Sequence, residues 1–245
     1  FLESTADNIN RYITAKGIEW TNKKNTLIGF SETIVYSGKN RSLDIGYINP
    51  LTFHLEAELN NRLNVTGNGS SNAVWQFHSD IFFLNRLRIS FNILFDEFVF
   101  DEKIQLNKEH GKAYSFRISS PLVNIDKYIF NLYFTHIFVG TPTFRHLSGS
   151  NNFVKSNFPL GWSKGSDSKE TSLGINYTNK KSTFIQLKGG FLLSGEENII
   201  NRSYKPYTDY LKGPFPSGWV TKEVFFHTNF EINYSKRITF SLVNK

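Results

Sequence analysis

The 245-residue chain has no Cys, no Met and no run of ~20 apolar residues. That excludes a disulfide framework, thiolate chemistry and a membrane-spanning helix, but not strands that cross a membrane. Its net charge of +7 points to anionic surroundings, yet the Lys and Arg are dispersed and many fall in short polar turns, which argues against a nucleic-acid footprint.

Residues 1–11 are polar and give no clear element. Tyr12–Trp20 can form a strand ending at the turn Asn22-Lys23-Lys24-Asn25. Thr26–Ser37 is a cleaner strand, with Ile28, Phe30, Ile34 and Tyr36 on one face. Gly38–Asn49 reads as loop. Asn49-Pro50 then has the form of an N-cap followed by a first-turn proline, and Leu51, Leu55, Leu59 and Leu63 recur four apart, so a short amphipathic helix is expected there. Val65–Asn72 has loop composition.

The strongest pattern follows. Ala73, Trp75, Phe77, Ile81 and Phe83 alternate with Val74, Gln76, His78, Asp80 and Phe82, and Leu84-Asn85-Arg86 turns the chain. A second run then sets Leu87, Ile89, Phe91, Ile93 and Phe95 against Arg88, Ser90, Asn92, Leu94 and Asp96. This is an antiparallel hairpin with one greasy, aromatic face and one wet face. At Asp96-Glu97 the phase slips so that Phe98 and Phe100 continue the apolar face, the signature of a bulge. A charged loop spans Asp101–Gly111.

Ala113–Val123 is a strand with Pro121 near its end, and Asn124–Lys127 is a turn. Tyr128–Val139 is a strong strand with Tyr128, Phe130, Leu132, Phe134 and Phe138 on one face and Asn131, Tyr133 and Thr135 on the other. After a long loop, Gly140–Ser168, come paired strands Thr171–Thr178 and Thr183–Leu193. A second long loop spans Ser194–Gly218. Val220–Tyr234 carries Val224, Phe226, Phe230, Ile232 and Tyr234 against Glu223, His227, Asn229, Glu231 and Asn233. Ser235-Lys236-Arg237 turns into a last strand, Ile238–Val243.

Short connections (22–25, 84–86, 124–127, 179–182, 235–237) alternate with long ones (38–72, 101–111, 140–169, 194–219). Outer-membrane barrels have short periplasmic turns and long external loops, and strands of about ten residues suit a tilted crossing. The fold class expected is therefore all-β: an antiparallel up-and-down transmembrane β-barrel of about ten to eleven strands, with one short helix in a long loop. Residues 1–245 would be a single segment of a larger barrel, because the last strand runs outward and position 1 is not Met.

The ordered set Gly17-Ile18-Glu19-Trp20, Ile28-Gly29-Phe30-Ser31-Glu32, Tyr36-Ser37-Gly38, Tyr47-Ile48-Asn49-Pro50-Leu51, Leu94-Phe95-Asp96-Glu97-Phe98, Pro159-Leu160-Gly161 and Gly165-Ser166-Asp167-Ser168 resembles the Wzi-type capsule-assembly family of outer-membrane barrels, in its divergent Bacteroidota-like form. The likeness spans nearly the whole chain and would correspond to the C-terminal half or so of such a protein. The terminal Asn244-Lys245 departs from the aromatic last residue typical of these barrels. The resemblance implies a surface protein that attaches or organises extracellular polysaccharide.

No metal-ligand spacing links the six histidines, and G-x-S-x-G, P-loop and G-x-G-x-x-G patterns are missing. The adjacent pairs Asp96-Glu97 and Glu196-Glu197 do not make an acid/base dyad by themselves, since neighbours in a strand point to opposite faces. No cofactor is expected, and the chain reads as non-catalytic. Trp162 and Trp219, in the two longest loops, with Arg145, His146 and Lys212, are the candidate glycan-binding residues; loop anchoring or an aromatic girdle is the competing role for the tryptophans. The expected partners are outer-membrane lipid and lipopolysaccharide and an anionic extracellular polysaccharide, in the outer membrane of a Gram-negative bacterium, with no nucleic acid. A solute pore and a soluble β-sandwich carbohydrate-binding domain are the alternatives.

Overall fold

A computed structural model describes residues 1–5, 7–49, 51, 71–84, 86–97, 107–125, 127–179, 183–208, 211–235 and 238–244, with backbone alone at 97 and 233–244. It is an all-β structure built on one eleven-stranded antiparallel sheet. The strands are β1 (Glu3–Ser4), β2 (Ile9–Thr21), β3 (Thr26–Lys39), β4 (Ser71–Phe83), β5 (Leu87–Glu97), β6 (Gly111–Ile125) and β7 (Tyr128–Val139). The two-residue pair β8 (Val154–Lys155) and β9 (Phe158–Pro159) forms a small separate hairpin. The large sheet then resumes with β10 (Ser168–Asn179), β11 (Thr183–Ser194), β12 (Thr221–Ser235) and β13 (Ile238–Asn244). Each strand of the large sheet pairs with its neighbours in chain order, β7 passing directly to β10. Among the described residues no ladder joins the β1 and β13 edges.

The hairpin expected around 84–86 forms with Phe77 opposite Ile93 and Trp75 opposite Phe95. The phase slip is real, since the β5–β6 register shifts between Phe95 and Glu97. A second shift falls at Pro121–Val123, where proline removes a ladder donor. Some bounds differ from the sequence reading. β2 begins at Ile9 and β4 at Ser71, and β6 continues to Ile125, because cross-strand pairing carries these polar residues into the ladder whatever their composition. Within the stretch read as loop, Ile45–Tyr47 forms one 3-10 turn capped by Asp44, whose Oδ1 accepts from Gly46 N at 3.0 Å. The helix expected from Pro50, and the continuation at Phe98 and Phe100, lie outside the described residues.

Pairing separates two faces. One carries Gln76, His78, Asp80, Arg88, Ser90, Asn92, Ser115, Arg117, Asn131, Tyr133, Thr135, Glu170, Ser172, Gln186, Lys188, His227 and Asn229. The other carries the apolar set, and many of its large side chains lie open: Ile18 is 76% exposed, Val224 77%, and Trp20, Phe77, Leu173, Phe191 and Phe226 are exposed too, while Tyr12, Ile34 and Tyr36 at one long-loop corner are buried with Tyr47. The pairings Ile18↔Phe30↔Phe77↔Ile93↔Tyr114↔Phe138↔Lys169↔Leu193↔Lys222 trace one row across this face. It starts beside the short turn at 22–25 and ends on the second residue of β12, at the long-loop end. The strands are thus progressively staggered.

Glycines show which way the sheet bends. On the polar face Gly29, Gly174 and Gly190 stand opposite His78, Tyr133 and Phe225. A Cβ there would come within 2.4 Å of the His78 ring, 2.3 Å of the Tyr133 ring and 2.9 Å of the Phe225 ring. On the apolar face a Cβ at Gly189 would meet nothing nearer than 3.7 Å. Rings packed over in-register glycines are a device of curved sheets, and crowding on this side marks the polar face as the inner one.

Candidate functional site: the loop cap on the polar face

The loops 140–167 and 195–220 fold back over the long-loop end of the polar face. Phe144, Phe153, Val154 and Ile199 from the loops pack on Val35, Val74, Ala113 and Val139 from the sheet, with Trp162 and Tyr204 partly buried against them. The inner face is thus apolar at the long-loop end, where the loops cover it. Residues Ser156 and Asn157, both with positive φ (48° and 67°), turn the chain between β8 and β9.

Polar groups lock the cap. Arg11 of β2 is fully buried; its guanidinium donates to the carbonyls of Ser150 (2.6 Å), Asn152 (2.6 Å) and Val154 (2.9 Å) and pairs with the Glu3 carboxylate. The Tyr204 ring lies 5.1 Å beneath it. Asp167, also fully buried, accepts from Thr141 Oγ1 (2.9 Å), Ser217 N (2.9 Å), Ser217 Oγ (2.5 Å) and Glu197 N (3.2 Å), tying the two loops together. Asn152 receives His146 N at 2.8 Å and donates to the carbonyls of Ser203 (3.0 Å) and Lys205 (3.1 Å). Buried polar groups satisfied this densely fix one arrangement.

The titrating groups follow from these contacts. Burial pushes the Glu197 carboxyl up, but the Arg145 hydrogen bond and the charges of Arg145, Arg202 and Lys205 outweigh it and hold the group below the usual carboxylate range. Glu3 behaves alike: burial raises it, and hydrogen bonds from Tyr204 and Ser156 with the Arg11 charge bring it down. Burial raises Tyr204, helped by its bond to Glu3. Glu109 is raised, by burial first and with Asp167 adding to it against the opposing charges of Lys112 and Lys212.

Two cavities flank the cap. One of about 330 Å³ lies between cap and sheet, lined by Phe144, Phe153, Leu160 and Trp162 above and by Gln76, Asn92 and Ser115 below. Gln76 donates to Asn92 Oδ1 (3.2 Å) and Asn92 donates to Ser115 Oγ (3.0 Å), a polar ladder across three strands. The other, about 300 Å³ and more polar, opens among the loops beside Glu109, Thr141, Glu197, Lys205, Tyr207 and Ser217.

The five candidate residues are not brought together. Arg145 is buried, donating to the Glu197 carbonyl and carboxylate, both at 2.8 Å, with its guanidinium 4.5 Å from the Tyr207 ring centre. His146 is half-buried, its Nδ1 accepting from Ser148 N at 3.0 Å. Trp162 lines the cavity under the cap. Lys212 is exposed on a strand-like contact with 107–108, its N–H donating to the Asn107 carbonyl at 2.7 Å. Trp219 is 84% exposed. Sequence reasoning missed Arg11 and Asp167. Arg11 sits in a polar stretch with no periodicity, and Asp167 has only the turn signal of Gly165-Ser166-Asp167-Ser168. Among the described residues no group of three His, Cys, Asp or Glu could hold a metal. His78 and His227 stand on the polar face, and His136 on the apolar face bonds Thr171 Oγ1 at 2.8 Å.

Comparison of the chain with protein-family models, curated proteins and solved structures gives no match.

Proposed function

We propose that this chain forms wall of an outer-membrane β-barrel that holds surface polysaccharide outside a Gram-negative cell, without catalysis. The observation that carries the membrane reading is the oblique row from Ile18 to Lys222. Its side chains are mostly apolar and many are open, and its slant from the turn end to the loop end is the stagger that tilted barrel strands require. A soluble sandwich would cover the apolar face with a second sheet, and among the described residues the second sheet is the two-residue pair β8–β9.

The locked cap on the inner face supports attachment over free diffusion. The crown above it offers a polar cavity beside Tyr207 and Lys205, with Lys212 and Trp219 exposed nearby in sequence, chemistry suited to acidic sugars through ion pairing and ring stacking. A pore is the second reading, favoured by the charged polar face beyond the cap, where Arg88 pairs with Asp80 and Lys188 with Glu170.

The first test is gel mobility in detergent with and without boiling. A boiling-dependent shift with β-rich circular dichroism supports the barrel, and a protein that stays in solution without detergent and shows no shift overturns it. Binding of alginate, a uronate polymer, then tests the glycan reading: Trp219→Ala with Lys212→Gln should weaken it. Conductance in planar bilayers separates the two readings, since a large stable conductance would favour the pore.

A further inference from the structure

Three lysines occupy equivalent positions. Lys112 is the second residue of β6, Lys169 of β10 and Lys222 of β12, the strands that enter the sheet from its long-loop end. All three stand on the apolar face, as the pairings of Lys112 with Phe95, Lys169 with Phe138 and Leu193, and Lys222 with Leu193 require. In the sheet order β6-β7-β10-β11-β12 they lie two strands apart: Lys169 and Lys222 share one pairing row, about 10 Å apart, and Lys112 stands two residues nearer the long-loop end than Tyr114, the β6 member of that row, so about 12 Å from Lys169. Phe138 and Leu193 fill the strands between them. Beneath this row, towards the turns, come Phe116, His136, Thr171, Phe191 and Val224, and then Ile118, Phe134, Leu173 and Phe226.

The carboxylates beside these lysines in sequence point away. Glu170 is on the inner face, 2.6 Å from Lys188, and Glu223 is on the inner face, 3.7 Å from Lys164. Glu109 is the acidic group that feels Lys112, and it feels Lys212 as well. Lys112 and Lys222 are exposed, and Lys169 is half-buried with its Nζ 6.0 Å from the Phe215 ring centre. Phe215 itself packs on Phe138 at 4.4 Å, and Phe138 stacks on Tyr114 at 5.0 Å, making an aromatic shelf at the level of the lysines. A cationic row directly above an exposed apolar belt matches an amphiphile with acyl chains below and anionic groups above.

We infer that Lys112, Lys169 and Lys222 form a docking surface for the phosphate-bearing headgroup of a glycolipid in the leaflet on the long-loop side. The inference rests on the membrane reading above. The chains would lie along Phe191, Val224, Leu173 and Phe226, and the phosphates would bridge adjacent lysines, with Tyr114 and Phe138 at the headgroup level.

The test uses the protein folded into phosphatidylcholine vesicles with and without lipid A carrying its phosphates. The wild type is compared with a Lys112→Gln, Lys169→Gln, Lys222→Gln variant and with the same three positions changed to Arg. Insertion and the boiling-dependent gel shift are scored first. Lipid A retained through detergent extraction is then measured by its 3-hydroxy acyl chains, which phosphatidylcholine lacks and dephosphorylated lipid A keeps. At about tenfold per 1.4 kcal/mol, and near 1 kcal/mol for each cation at low salt, the Gln variant should bind lipid A on the order of 100-fold more weakly. The Arg variant should bind as the wild type does, and dephosphorylated lipid A should bind all three proteins alike. Equal retention by wild type and Gln variant, with normal insertion, overturns the lipid site and leaves the membrane reading standing. Displacement of lipid A by inorganic phosphate would make the row a free-anion site and also overturn it. Failure of every protein to insert overturns both.

Discussion

The two faces of the sheet are built on opposite rules. The inner face is polar, crowded and, at the long-loop end, covered by loops locked to the sheet and to each other through buried Arg11 and Asp167. The outer face is largely apolar and mostly open, and Glu170 and Glu223 beside its lysines turn to the inner side. An ordinary soluble sheet buries its apolar side and shows water its polar one. Here the exposure is reversed, and under the reading proposed above a bilayer outside with a capped interior inside would make both faces stable.

The harshest way to break the inner half of that contrast is Arg11→Ala. It strands three loop carbonyls and leaves the Glu3 carboxylate without its guanidinium, so about 3–5 kcal/mol should be lost. Hydrogen exchange across 148–155 should rise while the sheet amides stay protected; unchanged protection would mean that the cap is held by its apolar contacts alone.

The outer half is tested by Leu173→Arg, at an exposed position of the apolar belt. In lipid it should cost about 2–4 kcal/mol, read from denaturant midpoints in vesicles. A change within about 0.5 kcal/mol would put this face in water.

Curvature is probed by a glycine pair. Gly174→Ala drives a methyl into the Tyr133 ring and should cost about 1–3 kcal/mol. Gly189→Ala on the opposite face has room and should be neutral or stabilising by roughly 0.5–1 kcal/mol. Equal costs would remove the assignment of inner and outer sides.

The mildest test is pH. Glu3 and Glu197 have folded values below the ordinary 4.5, so their contribution is present above about pH 4.5 and is lost as pH falls through the lower folded values. Glu109 is raised, so its ionisation in the folded state opposes stability at neutral pH, and that penalty is relieved as pH falls towards 4.5. Exchange protection of the 195–207 loop should therefore drop in acid, and Glu109→Gln should make it slightly firmer at pH 7. An acid profile that is flat in the wild type would show that these carboxylates do not hold the cap.

Much of the sheet was legible. Period two in 73–95, 128–139 and 220–234 assigned the faces correctly, and the alternation of short and long connections placed the turns, because a strand half-buried on one side must alternate. The loop regions were not legible in this way. Trp162, read like Trp219 as a sugar platform, a loop anchor or a girdle residue, lines a cavity beneath the cap, while Trp219 is open. Arg145, chosen for its charge, is buried against Glu197. Loop side chains have no periodicity, and their burial depends on which distant backbone groups they meet.

Composition and pattern by themselves determined that the chain is all-β, that its strands are antiparallel neighbours, and which residues share each face, since these follow from the two-residue repeat and the length of each connection. The tertiary structure decided which face is inner, through the rings packed over Gly29, Gly174 and Gly190. It also decided that Arg11 and Asp167, more than a hundred residues apart, would lock the cap, and that three lysines on alternate strands would gather at the long-loop end of the apolar face. Those relations depend on register and stagger between strands, which a linear pattern does not encode.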